Sequence, residues 1–217
     1  MNSLFEIDFE KDSFKQYISS FVKDCDKIRN IMLAYRFAKY AYLNKYFKDS
    51  DEPQTAVRIL IQEFNITSID NVTTLLLSYV TRCSALLTLD DVEHIFGQTI
   101  KEKLMMIDTI ERIANSRANI TNAKQKKYET MFSKEVIIIS SCYILAALKL
   151  LELDKAKMFP IKVFNRYLPI FEIFQDVRMK VFSKFKKLLI RKVNVLNTKN
   201  TYNLTSGDIF KYWQILS

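Results

Sequence analysis

Residues 58–97, RILIQEFNITSIDNVTTLLLSYVTRCSALLTLDDVEHIFG, decide how this chain folds. Apolar residues recur there every three or four positions, the spacing of a helix that buries one face. The pattern predicts helices over Gln54–Phe64, Ile69–Thr81 and Leu89–Phe96. Pro53 suits the first position of the first, where no backbone N–H is needed. Asp90 and Asp91 fall in the first turn of the third, where the helix dipole favours negative charge. Gly97 suits a C-cap that needs a positive φ angle.

The same spacing extends in both directions. Helices are expected over Asp12–Val22 and Asp26–Phe47, the latter with Ile28, Met32, Tyr35, Ala38 and Tyr42 on one side. After Gln98–Ala114 comes a polar loop, Asn115–Asn122, then helices over Ala123–Met131, Lys134–Leu151, Phe159–Phe174 and Val177–Val193. Asn194–Tyr202 reads as a polar linker, and Leu204–Asp208 as the cap of a last short helix containing Trp213. Two glycines and three prolines in 217 residues are too few for the turns of a sandwich or barrel. The expected fold is an all-α helical bundle of about eight to ten helices, with residues 1–193 as the domain and 194–217 as linker and terminal helix.

With 49% hydrophobic and 26% charged residues, the composition is globular rather than disordered. MNSLFEIDFEKD lacks a basic region before an apolar run, so no signal peptide is expected. The longest uncharged stretch, Val136–Leu148, is too short to span a bilayer. Cys25, Cys83 and Cys142 form no Cys-x-x-Cys pair and suit a reduced, cytoplasmic setting. Without a leader, the Asn-x-Thr sequons at Asn65, Asn71, Asn119 and Asn203 read as accidents of composition. There is no P-loop, dinucleotide fingerprint or zinc spacing.

Several strings have a familiar order. Arg58-Ile59-Leu60 leads to Leu76-Leu77-Ser78-Tyr79, and then to Thr88-Leu89-Asp90-Asp91-Val92-Glu93 and Phe96-Gly97. On these residues the chain resembles the HD superfamily, and most closely the SpoT-like small alarmone hydrolases. The resemblance covers roughly Ala34–Leu151, extends loosely to about Val193, and implies an HD-domain-like bundle. In that family, helices bring His and Asp ligands around a divalent cation, typically manganese. The metal serves removal of the 3′-pyrophosphate from guanosine tetraphosphate.

Position by position, the resemblance sets Glu52 against the first ligand, the His of a His-Pro pair. Ser78 and Tyr79 stand against the His-Asp pair, and Tyr143 against the last Asp. Arg82 and Cys83 stand against the Glu-Asp pair that assists catalysis, and Ala147 against a substrate-contacting Asn. Metal catalysis needs several deprotonated nitrogen and oxygen donors, and Glu52 alone supplies one. No metal and no cofactor are expected. With a single histidine, His94, no register restores a His-rich site.

The predicted helix Val177–Val193 carries Arg178, Lys180, Lys184, Lys186, Lys187, Arg191 and Lys192 and no acid. Such a helix keeps a core helix solvated, or it binds an anion or a partner. Arg36, among the tyrosines of the second predicted helix, is a further candidate counter-charge. The sequence thus reads as a catalytically inactive pseudohydrolase used as a binding or regulatory module, with a protein partner favoured. The alternatives are a metal-independent guanine-nucleotide sensor, a residual or altered phosphohydrolase, and a nucleic-acid-binding helical protein.

Overall fold

The computed structural model describes residues 13–46, 51–83, 87–116, 122–150, 166–171 and 173–198. Among these residues every regular element is helical and the fold is an all-α bundle. In chain order the helices are α1 (Ser13–Ser19), α2 (Cys25–Tyr46), α3 (Glu52–Phe64), α4 (Ile69–Cys83), α5 (Leu89–Phe96) and α6 (Gln98–Ser116). There follow α7 (Asn122–Met131), α8 (Lys134–Leu150), a short α9 (166–171) and α10 (Gln175–Thr198).

α4 is the centre. Every residue from Asn71 to Val80 is buried. A helix buried all round needs neighbours all round, and α4 packs most extensively on α2 and also on α3, α6 and α8. Leu75, Leu76 and Leu77 are each fully enclosed, which stabilises the fold by about 2 kcal/mol per side chain. Two of its buried polar side chains bond within the helix or to a neighbouring one. The Ser78 hydroxyl donates to the Leu75 carbonyl at 2.7 Å, and Asn71 Oδ1 accepts from Lys103 Nζ at 2.7 Å. Asn71 is therefore closed to any modifying enzyme in the folded chain.

α8 is the second core helix, packed on α3 and covered by α10. α7 and α8 meet at 94°. Ser133 makes the corner, its hydroxyl accepting from the Val136 amide at 3.3 Å. No single described helix is long and apolar enough to cross a membrane. α1 reaches α3 through Tyr17, whose ring lies 4.3 Å beneath the Arg58 guanidinium. α5 begins with a capping box in which Thr88 and Asp91 bond each other's side chains and amides. It ends at Gly97, φ +96°.

Several boundaries depart from expectation, α1 among them, which ends at Ser19 rather than Val22. α3 begins at Glu52, so Pro53 occupies its second position. α10 begins before Val177 and continues through Thr198, so the expected linker from Asn194 is helical over its first five residues, 194–198. Its apolar spacing persists through Val193, Val195 and Leu196, and no glycine or proline interrupts it. The predicted helix over Phe159–Phe174 is described only from 166, and after Phe171 the chain turns at Ile173 and Phe174 before α10. The terminal helix around Trp213 lies outside the described residues.

α3 ends without glycine. Asn65 takes φ +56°, and the Asn65 and Ile66 amides bond the Ile61 and Leu60 carbonyls. Asparagine tolerates this left-handed turn, and glycine adopts it without steric cost. Asn65→Gly is expected to raise stability by about 0.5 kcal/mol and Asn65→Ala to lower it by about 1 kcal/mol, read from urea midpoints.

Candidate functional site: a buried tyrosine–arginine cluster

Glu52 opens α3, Tyr79 and Arg82 lie one turn apart near the end of α4, and Tyr143 sits midway along α8. The fold brings these residues together. The Tyr79 and Tyr143 rings are 5.3 Å apart at 58°, a tilted contact that aromatic quadrupoles favour. The Arg82 guanidinium lies 4.2 Å over the face of Tyr143. Tyr42 of α2 stands 6.2 Å from Tyr79, ring to ring, and donates its hydroxyl to Glu52 Oε2 at 2.8 Å. At the far end, Arg82 Nε donates to Glu111 of α6 in an ion pair whose side chains are only 9% and 24% exposed.

The result is one connected interior chain, Glu52–Tyr42–Tyr79–Tyr143–Arg82–Glu111, drawn from five helices. Tyr79 is the largest fully enclosed side chain in it. Its hydroxyl approaches Glu52 without completing a hydrogen bond of normal geometry. Tyr167 of α9 approaches Arg82 in the same incomplete way. Arg82 Nη1 and Nη2 are buried with no hydrogen-bond partner among the described residues.

Burial sets most of the electrostatics. It raises the Glu52 carboxyl above its ordinary value, and the Tyr42 and Tyr79 hydroxyls and the Arg82 charge only partly oppose it. Burial, then the Glu52 charge, holds Tyr79 well above the usual phenol value. Tyr167 is pushed up to about 12, again chiefly by burial. Burial alone would weaken the charge on Arg82. The Glu111 carboxylate, with Tyr167 and Tyr143, more than offsets it, so Arg82 remains a firm cation.

The remaining candidates divide. Ser78 turns back to its own helix and takes no part in the cluster. Cys83 lies beside it, but burial raises its thiol above the ordinary value despite nearby Lys45 and Arg82, the opposite of an activated nucleophile. Ala147 follows one turn after Tyr143 on α8. His94 is exposed on α5. Arg36 is half-buried on α2, where burial lowers its pKa. Tyr35, expected on the inward side of α2, packs at 4.4 Å on Phe14.

On α10, Arg178, Lys180, Lys187 and Arg191 are exposed, and Lys184 and Lys186 are half-buried. Lys184 pairs with Glu63 rather than with any member of the cluster. The Lys192 side chain lies outside the described residues.

The donor set does not fit a divalent metal. It offers one carboxylate already bonded to Tyr42, neutral phenols, and a guanidinium whose charge opposes a cation. Among the described residues no three His, Cys, Asp or Glu side chains gather as a metal site. Sequence reasoning missed Glu111 and Tyr167 as members. A signal for Glu111 was present: it interrupts the apolar stripe Leu104, Ile107, Ala114 of α6 at helical spacing, where an acid requires a partner. No family model, curated protein or solved structure matches the chain.

Removing one member of a buried ion pair strands the other. Arg82→Met is expected to cost about 3 kcal/mol, with Arg82→Met/Glu111→Leu recovering most of that loss. A double-mutant cycle in guanidinium chloride measures both. For Glu52, a raised folded pKa means that the protonated form favours folding. The stability it contributes is present below its ordinary value near 4.5 and lost as pH rises through the raised value. Glu52→Gln keeps an acceptor for Tyr42 without the charge. It is expected to match the parent near pH 4 and to melt higher than the parent near pH 7, by thermal circular dichroism.

Proposed function

We propose that the chain is a catalytically inactive pseudohydrolase of HD-like design that acts as a binding or regulatory module. One observation carries this reading. Glu52, Tyr79, Arg82 and Tyr143, which the resemblance sets against metal-binding and catalytic groups, come from three helices and meet in one cluster. A chance correspondence of strings gives no reason for such convergence.

The chemistry of the cluster argues against hydrolysis. Phosphoryl transfer depends on neutralising charge at the transferring group and orienting its nucleophile. Here the one firm cation is paired with Glu111, the thiol is held protonated, and Tyr79 fills the centre. The position that would hold metal is packed with rings.

A second reading draws on Arg82. Its two Nη groups lack partners among the described residues, and buried guanidinium donors favour an anionic acceptor. That supports a metal-independent guanine-nucleotide sensor, with the phosphate held where the family holds its cation.

Calorimetric titration of guanosine tetraphosphate into the protein, once with manganese and once with EDTA, separates these readings. The pseudohydrolase reading predicts no turnover heat in either buffer. Saturable heat that survives EDTA supports the sensor. Sustained heat only with manganese shows a working hydrolase and overturns both.

A further inference from the structure

α10 turns Val177, Val181 and Phe185 into the bundle, and this divides its bases between two flanks. At 100° per residue, Lys180, Lys184, Lys187 and Arg191 fall on one flank in a strip spaced four, three and four residues apart, while Arg178 and Lys186 fall on the other. The strip is about 16 Å long at 1.5 Å per residue. Among the described residues its acidic contact comes from another helix. Lys184 Nζ, 30% exposed, meets Glu63 Oε2 of α3 at 2.5 Å. Lys187 and Lys149, at the end of α8, stand near enough to hold the Glu63 carboxyl below its usual range together with Lys184. Three helices therefore place the Glu63 carboxylate among Lys184, Lys187 and Lys149, with Lys180 and Arg191 exposed beyond it. Leu150, 39% exposed, adds an apolar contact beside Lys149.

We infer that this strip, Lys180–Lys184–Lys187–Arg191 with Lys149, is the docking surface for an acidic helical segment of a partner protein. The inference rests on the reading of the chain as a binding module, and does not depend on the state of the buried cluster. Three observations select the partner. Glu63 already occupies the strip as a carboxylate, so the surface is matched to side-chain acids at that depth. The spacing of the bases is one helical turn, the spacing at which acids line one face of a partner helix. Neither other polyanion fits as well. Of the described apolar residues of α10 only Met179 is well exposed, at 65%, and one such side chain is little to insert among lipids. The aromatics of α10 are Phe182, half-buried, and Phe185, fully buried, so no exposed ring is offered for base stacking.

The test is fluorescence anisotropy with the full chain and a labelled alanine-based peptide of about 20 residues, long enough to form helix, with Glu at every third or fourth position. Single-stranded RNA, duplex RNA and phosphatidylserine vesicles serve as competitors. The peptide is expected to bind at low salt and to weaken by about tenfold on raising salt to physiological strength. The variant Lys180→Glu/Lys187→Glu/Arg191→Glu is expected to lose about 30-fold or more, and the opposite-flank variant Arg178→Glu/Lys186→Glu less than about threefold. Glu63→Gln, which releases Lys184 from its internal carboxylate, is expected to tighten binding by about threefold. Circular dichroism of each variant identifies any that fail to fold, in which case Glu63→Gln still decides the matter. Equal loss in both flank variants, tighter binding of RNA or vesicles through the strip, or no peptide binding overturns the inference. Any of these leaves the nucleotide titration of the buried cluster unaffected, so the two failures are distinguishable.

Discussion

The buried pair between Arg82 and Glu111, stacked against Tyr143, constrains everything around it. A guanidinium 9% exposed is tolerable only where a carboxylate meets it and an aromatic face covers it. Those three groups come from α4, α6 and α8, so the three helices cannot slide past one another without stranding a charge. Tyr79 fills the space one turn back on α4, and Tyr42 and Glu52 tie α2 and α3 to the same centre. Polar interiors are costly when half-satisfied. This one pairs its cation with Glu111 at Nε and leaves both Arg82 Nη groups and the Tyr79 hydroxyl without a hydrogen-bond partner among the described residues.

That arrangement gathers no set of metal donors among the described residues and holds the Cys83 thiol above its ordinary value. Among the described residues α10 exposes Arg178, Lys180, Lys187 and Arg191, in a chain of formal net charge +9. The core face of that helix is needed for packing on α8, which leaves its flanks for contact with other molecules. Inside and outside are thus separate devices joined by α8, which carries Tyr143 to the cluster and Lys149 to the strip.

Much of the fold was legible because helical periodicity is a strong local signal. The α5 boundaries, its first-turn acids and the Gly97 cap all follow from residues within one turn of each feature. The α10 end was misread because polar Asn194 and Asn197 suggested a linker, whereas the helix continued on Val193, Val195 and Leu196. The sites were legible only in part. Glu52, Tyr79, Arg82 and Tyr143 were singled out through the resemblance, and nothing in their local spacing shows that they meet. Glu111 and Tyr167 join through tertiary packing alone, and Ser78 leaves the group because its hydroxyl finds a carbonyl on its own helix. The lysine strip required knowing which face of α10 is buried, since spacing alone gives the angular order of its bases but not the direction of the core.

The most direct test of the central claim is the ionisation of Tyr79, followed by the ¹³Cζ shift of labelled tyrosine and assigned by Tyr79→Phe. A filled interior predicts that Tyr79 stays neutral across the whole pH range in which the protein remains folded. A Tyr79 resonance that titrates near the ordinary phenol value of about 10 would mean an open, hydrated pocket, and would contradict the account.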